Sequence, residues 1–321
     1  GKTSVAVDAS AVTQITGTVA EANIVYGAGS SEITGLGNEI VVTTESSLIL
    51  ESTGSTGSST LAGLNTLDNN TVGMVNAGSI TSITGSLADL LTAYGSNGIT
   101  GLGNEAITVS DTTTLAASDL NSLDSKTSGT VTTSTSLATL TGTVAELNTA
   151  YGSAGLSIEG DEAITISDTT VDAETLNVLN NYTSGVINAD TLTKLTGALV
   201  DVNASFAADA LASGATISGL GDQDVELTDT NILAADLDTL NGYTEGNVDA
   251  TTVKVIEGTA ATLNSVYAGS ASSGNGISGL GNEAVTVTDT EALAADLVTL
   301  DGNTAGIIDA SAVNTLSGTV D

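Results

Sequence analysis

The 321 residues include 38 acidic against 4 basic side chains and no His, Cys, Pro or Trp, a formal net charge of −34. That balance argues against nucleic acid and against an anionic membrane surface, because both are held by Lys and Arg. Without His or Cys, the usual nucleophile–base pairs, most transition-metal sites and any disulfide are absent.

Disorder is the first alternative for a chain so rich in Ser, Thr, Gly and charge. Apolar content opposes it: hydrophobic residues make up 40% of the chain and mean hydropathy is +0.26. Six Tyr and one Phe leave a thin core built of small aliphatics.

Taken in order, the chain repeats one unit of about 60 residues, the signature of an array of supersecondary units. GLGNE stands at 35–39, 101–105 and 279–283, with IEGDE at 158–162 and GLGDQ at 219–223. An Asp-Thr pair recurs at Asp111, Asp168, Asp229 and Asp289, spaced 57, 61 and 60 residues. One aromatic recurs at Tyr26, Tyr94, Tyr151, Phe206 and Tyr267. The units are a partial repeat at 1–34, repeats at 35–98, 99–155, 156–216 and 217–276, and a partial repeat at 277–321. The first full repeat carries a Gly/Ser/Thr insertion near 51–59, which maps to a surface loop. Residues 2–20 match 303–321, so both ends fall at one phase of the repeat, and the expectation is a segment of a longer array or a subunit that stacks end to end.

Within each repeat the pattern predicts β-α-β-α-α-β. ITVSDT (107–112), ITISDT (164–169), VELTDT (225–230) and VTVTDT (285–290) alternate as half-buried strands, with apolar residues at 107, 109, 164, 166, 225, 227, 285 and 287 facing the core. The Asp after each strand is read as the N-cap of the helix that follows it. LAADLDTL (233–240) and LAADLVTL (293–300) place Leu along one helical stripe, ended by Asn241-Gly242 and Asp301-Gly302. A second short strand (GTV 129–131, GVI 185–187, GNV 246–248, GII 306–308) leads to cap candidates Ser134, Asp190, Asp249 and Asp309, and to a short apolar helix. A further helix capped by Thr143 or Thr259 and a third strand, ISGLG, complete the unit. The fold expected is an α/β repeat: an elongated solenoid of about five units with short parallel strands. Separate 60-residue beads are the alternative, although domains so small bury little surface.

The residues with most chemistry are acidic. Calcium takes several oxygen ligands, and Glu39, Glu105, Asp111, Glu162, Asp168, Asp229, Glu283 and Asp289 are the candidate ligands. Against this, the nonapeptide calcium ladder and the EF-hand loop are missing, and Gln223 replaces one Glu. The alternative is that each Glu faces water and each Asp caps a helix. The recurrent aromatic reads as a core plug that needs no hydroxyl, since Phe206 serves. No enzyme is expected, because every prominent carboxylate recurs and active sites are single constellations. No apolar run approaches the roughly 20 residues that cross a bilayer, so membrane insertion is not expected. GKTSVAVDAS lacks a signal-peptide core, and an export signal would lie outside this stretch.

At the level of GLGNEA, LAADL-TLDGNT, VDAS and TLNSVYA, the chain resembles the repeat tracts of giant secreted cell-surface proteins, motility-linked or adhesin-like, of marine cyanobacteria. The resemblance covers essentially all 321 residues. It implies an extracellular or cell-surface, elongated, structural or adhesive role, and carries over no catalytic residues. The function expected is a fibre, spacer or coat segment that self-associates end to end or laterally. The alternative is an adhesive module for calcium or glycan, with other surface proteins or glycans as partners.

Overall fold

The computed structural model describes residues 5–28, 32–49, 59–210, 214, 216–270 and 276–318. The insertion near 51–59 lies, apart from Ser59, outside the described residues. The helices are α1 (Val19–Gly27), α2 (Leu61–Asn70), α3 (Leu87–Gly95), α4 (Ala117–Asp124), α5 (Val144–Gly152), α6 (Ala173–Tyr182), α7 (Leu199–Asp209), α8 (Ala234–Tyr243), α9 (Ala260–Ser270) and α10 (Ala294–Asn303). Short strands connect them, and every strand pair in each unit below is parallel, as connections through helices allow.

The repeat differs from the predicted order. The repeat at 99–155 runs through strands Ile99–Thr100, Ala106–Val109 and Thr114–Ala116, then α4, then strands Val131–Thr132 and Thr139–Gly142, then α5. It has two helices instead of three. Ser134, Asp249 and Asp309 accept the amide of the residue two further on (Ser136 at 3.2 Å, Thr251 at 3.0 Å, Ser311 at 2.9 Å). Such a bond closes a turn and does not open a helix. At Asp190 the preceding Asn188 side chain makes the corresponding turn, accepting the Asp190 amide at 2.9 Å. The apolar segment that follows each of these turns is a strand.

The helix ends also differ. Leu233 and Leu293 are the last residues of strands and about half exposed, while Ala234, Leu237 and Leu240 form the buried stripe of α8. α8 and α10 run through Gly242 and Gly302 and stop at Thr244 and Thr304 in extended backbone.

Two compact units divide the chain: Gly1–Thr141 with Thr149–Glu162, and Gly142–Asn148 with Ala163–Asp321. In the first, one sheet orders strands Ser47–Leu48, Ser82–Gly85, Ala106–Val109, Val131–Thr132 and Leu156–Ser157. Another orders Gln14–Gly17, Ile40–Thr43, Val75–Asn76 and Ile99–Thr100. In the second unit, Thr170–Asp172, Lys194–Gly197, Asp224–Leu227, Val248–Asp249 and Ile277–Ser278 form one sheet. Asn231–Leu233, Val255–Gly258, Ala284–Val287 and Ile308–Asp309 form the next.

Register in these sheets stacks like on like. Leu195, Val225, Val248 and Ile277 are successive partners and at most 3% exposed. In the first unit Ile83, Ile107 and Val131 do the same. The eight alternating strand positions from Ile107 to Val287 are all buried, as the period-two pattern requires. Each such aliphatic is worth roughly 1.5–3 kcal/mol relative to exposure. The Lys194–Glu226 ion pair (3.0 Å, side chains 41% and 52% exposed) is screened by solvent and contributes little. Small aliphatics therefore hold the core.

Asparagines join neighbouring helices. Asn23 donates to the Gly63 carbonyl (2.8 Å) and Asn65 to Asp89 (3.0 Å) in the first unit. In the second, Asn177 donates to Asp201 (2.9 Å), Asn203 to Asp236 (3.0 Å) and Asn264 to Asp296 (3.0 Å). Each asparagine is the fifth residue of its helix, and each acceptor the third residue of the next. Such a bond fixes the distance and rotation of one helix against its successor.

Candidate functional site

The glycine-rich turns form the most elaborate recurring site, and they are built to bury a carboxylate. In GLGNE the two glycines bend the backbone through the left-handed region, at φ 88° and 143° for Gly101 and Gly103. A β-carbon on Gly101 would lie 2.6 Å from the amide nitrogen of Gly78, so the close approach also demands glycine. The turn then folds Glu105 inward. Its Oε2 accepts the amides of Gly103 (2.8 Å) and Asn104 (3.1 Å) and the Tyr94 hydroxyl (2.5 Å).

The arrangement recurs. Glu39 accepts from Gly37 (2.7 Å) and the Tyr26 hydroxyl (2.9 Å). Glu162 accepts from Gly160 (3.2 Å) and Tyr151, and Glu283 from Gly281 (2.8 Å), Asn282 (3.0 Å) and Tyr267. Glu39, Glu105, Glu162 and Glu283 are 0–4% exposed. The expectation that these glutamates face water is corrected: each turns inward and is met by donors from inside the turn, which favours burial, although Glu105 Oε1 is buried without a partner.

The electrostatics follow. Burial acts to raise the Glu39 pKa, but the turn amides of Gly37, Asn38 and Glu39 and the Tyr26 hydroxyl outweigh it, and the net direction is downward. Burial, and then the adjacent carboxylate, hold the Tyr94 and Tyr267 hydroxyls well above the usual phenol range. Tyr26 is raised by burial in the same direction.

In one of the five aromatic–acid pairs both members change together. Phe206 takes the tyrosine place, and Gln223 takes the glutamate place. Gln223 is 2% exposed and keeps the turn bond, accepting the Gly221 amide at 2.7 Å. Its amide nitrogen donates to the carbonyls of Gly219 (2.9 Å) and Leu192 (3.2 Å) and to Asp222 (3.0 Å). Where no hydroxyl is available to a buried charge, the charge is absent too. The reading of the aromatic as a plain plug is thus incomplete, since four of the five bond through oxygen.

The aspartates cap helices, but not the helices that follow them. Asp111 accepts the amide of Leu87, the first residue of α3, at 2.8 Å. Asp168 accepts that of Val144 in α5 (2.8 Å), Asp229 that of Leu199 in α7 (2.6 Å), and Asp289 that of Ala260 in α9 (2.6 Å). Each reaches back 24–30 residues to an earlier turn of the chain. Glu45 does the same for Val19 in α1 at 2.7 Å. A carboxylate at a helix N-terminus meets a free amide and the positive end of the helix dipole. The backbone of the capping residue is held in turn: Thr191 donates to the Asp168 carbonyl (2.8 Å) and Thr252 to that of Asp229 (2.9 Å).

No protein-family model, curated protein or solved structure matches this chain.

The eight calcium candidates therefore fall into two sets with separate tasks. Glu39, Glu105, Glu162 and Glu283 lock turns, while Asp111, Asp168, Asp229 and Asp289 cap helices. Among the described residues no three acidic side chains converge in a way that could hold a metal ion. No helix among them is long and apolar enough to cross a membrane. The tyrosine–glutamate bond was readable in advance from one signal only, the joint change at 206 and 223.

Proposed function

We propose that the chain is a structural repeat segment of an extracellular surface filament or giant adhesin, serving as fibre, spacer or coat. In this reading the repeats of about 60 residues stack as one elongated solenoid, whose stability is the sum of contacts between neighbouring turns. The observation that carries it is the use of the recurring polar residues. Asp168, Asp229, Asn177 and Asn203 each bond to a neighbouring turn of chain, so length is added without new chemistry. Engagement of the eight carboxylates favours this over a calcium-dependent module. Self-association, end to end or lateral, and contact with other surface proteins or glycans belong to the same proposal.

Small-angle scattering with negative-stain imaging tests it. The expected particle is a rod of constant cross-section that shortens by one fixed increment when one repeat is deleted. Its melting temperature should not change on addition of a calcium chelator. Globules on free tethers, or a melting temperature that collapses with chelation, would overturn the proposal.

A further inference from the structure

The glycine turns are also joints between successive passes of the chain. The carbonyl of Gly37 accepts the Val72 amide (2.8 Å), and that of Gly103 the Ser128 amide (2.8 Å). In the second unit the carbonyl of Gly221 accepts the Glu245 amide (2.7 Å) and that of Gly281 the Ala305 amide (2.7 Å). The next pass also packs tightly here: a β-carbon on Gly129 would lie 1.9 Å from the Glu105 carbonyl oxygen, and one on Gly306 1.8 Å from that of Glu283. Whatever holds such a turn shut therefore holds the next pass in place.

At four of the five turns the latch is a buried carboxylate among donors. Glu283 Oε2 accepts the amides of Gly281 (2.8 Å) and Asn282 (3.0 Å), and Oε1 accepts the Tyr267 hydroxyl. A proton on Oε2 would face two amide hydrogens, and one on Oε1 would force the tyrosine to reverse its bond. At Glu105 the second oxygen is buried with no partner, so a proton there has no acceptor. At the fifth turn Gln223 keeps the Gly221 amide with its oxygen (2.7 Å), and its nitrogen donates to the carbonyls of Leu192 and Gly219. That amide does not titrate.

The surrounding groups preserve this contrast. Glu39, Glu105, Glu162 and Glu283 each meet a tyrosine from the helix before the turn, and phenols stay neutral in acid. The preceding pass presents Ser10, Gly78 and Thr251 to Gly35, Gly101 and Gly279. Asp8 and Asp249 hold the amides of Ser10 and Thr251 at 3.0 Å, one residue removed from the turns. Around the glutamine turn, Asp190 lies against Gly219, Asp209 accepts from the Gly219 and Leu220 amides, and Asp222 accepts from the Gln223 nitrogen (3.0 Å). Glu245 enters from the next pass through its backbone amide. None of these carboxylates replaces the bond from Gly221 to Gln223.

We propose that the glycine turns are acid-operated joints: protonation of Glu39, Glu105, Glu162 and Glu283 opens their turns, while the Gln223 turn stays closed.

Amide hydrogen exchange of the full chain, expressed as protection relative to the intrinsic rate at each pH, reads the five turns separately. Between about pH 7 and pH 3, protection of the Gly37, Gly103, Gly160 and Gly281 amides should fall roughly tenfold or more, and that of Gly221 far less. The double variant Phe206→Tyr, Gln223→Glu should make the Gly221 amide acid-sensitive. The reverse exchange, Tyr267→Phe with Glu283→Gln, should make Gly281 resistant. Circular dichroism at neutral pH confirms that each variant is folded, and the parent pattern alone decides where one is not. Equal loss of protection at all five amides, retained protection at the glutamate turns, or folded exchanges that leave the pattern unmoved would overturn the proposal.

Discussion

Gln223 and Phe206 replace, at one of five equivalent pairs, a glutamate and a tyrosine that are hydrogen-bonded at the others. Gln223 stays 2% exposed and redirects its amide to backbone carbonyls. The chain thus contains both solutions to one problem, a charged pair and a neutral one, each internally consistent.

That relationship predicts non-additive substitutions. Tyr94→Phe alone leaves the Glu105 carboxylate buried without its hydroxyl donor and should cost about 1–3 kcal/mol. Glu105→Gln alone should also destabilise. The double variant should cost less than the sum of the singles by at least about 0.5 kcal/mol, since the pair is in contact. Denaturant unfolding of the four species measures the coupling, and strict additivity would refute it.

Stability should depend on pH at both extremes. The folded Glu39 pKa lies below its ordinary value, so its contribution is present above the unfolded carboxylate range and is lost as pH falls through the folded pKa. The raised hydroxyls of Tyr26, Tyr94 and Tyr267 work in the opposite sense. Their contribution is complete below the unfolded phenol pKa of about 10 and declines as pH rises beyond it. Absorbance titration of phenolate should show these three tyrosines ionising only with unfolding. Reversible ionisation of all six tyrosines near pH 10 in the folded protein would contradict this.

Removing a backward cap should matter most where nothing supplements it. Ala198, which precedes α7, gives no side-chain cap, and Asp229 holds the first amide of that helix. At α3, Ser86 still caps the third amide (3.2 Å) when Asp111 is lost. Asp229→Ala should therefore cost about 1–2 kcal/mol and Asp111→Ala less, as compared by thermal unfolding. The reverse order would count against the assignment.

Two glycines two residues apart in one motif should behave differently. Ala at Gly103 meets open space and carries only the strain of its backbone angle, about 1–3 kcal/mol. Ala at Gly101 adds a collision with the backbone of Gly78 and should be the more damaging. Soluble yield and unfolding midpoint of G101A and G103A test the ranking.

Much of the architecture was written in local pattern. Strand positions such as Ile107, Val109, Val225 and Leu227 follow from alternation, because a half-buried strand has only one way to hide its apolar residues. The glycine turns follow from backbone sterics, and Thr143 caps α5 as its neighbours suggest, accepting the Glu146 amide at 3.2 Å. All of these are contacts within a few residues.

Tertiary structure decided what lies across a turn of chain. Asp229 was recognisable as a helix cap, but its helix begins 30 residues earlier, and no local rule specifies which amide comes within reach. Glu105 reads as a surface residue because charge is costly to bury. Only when the fold brings the Tyr94 hydroxyl and two turn amides around it does burial become the lower free energy. Composition and period determine that this chain repeats and what fills its core; the return of the chain on itself determines which polar group each side chain meets.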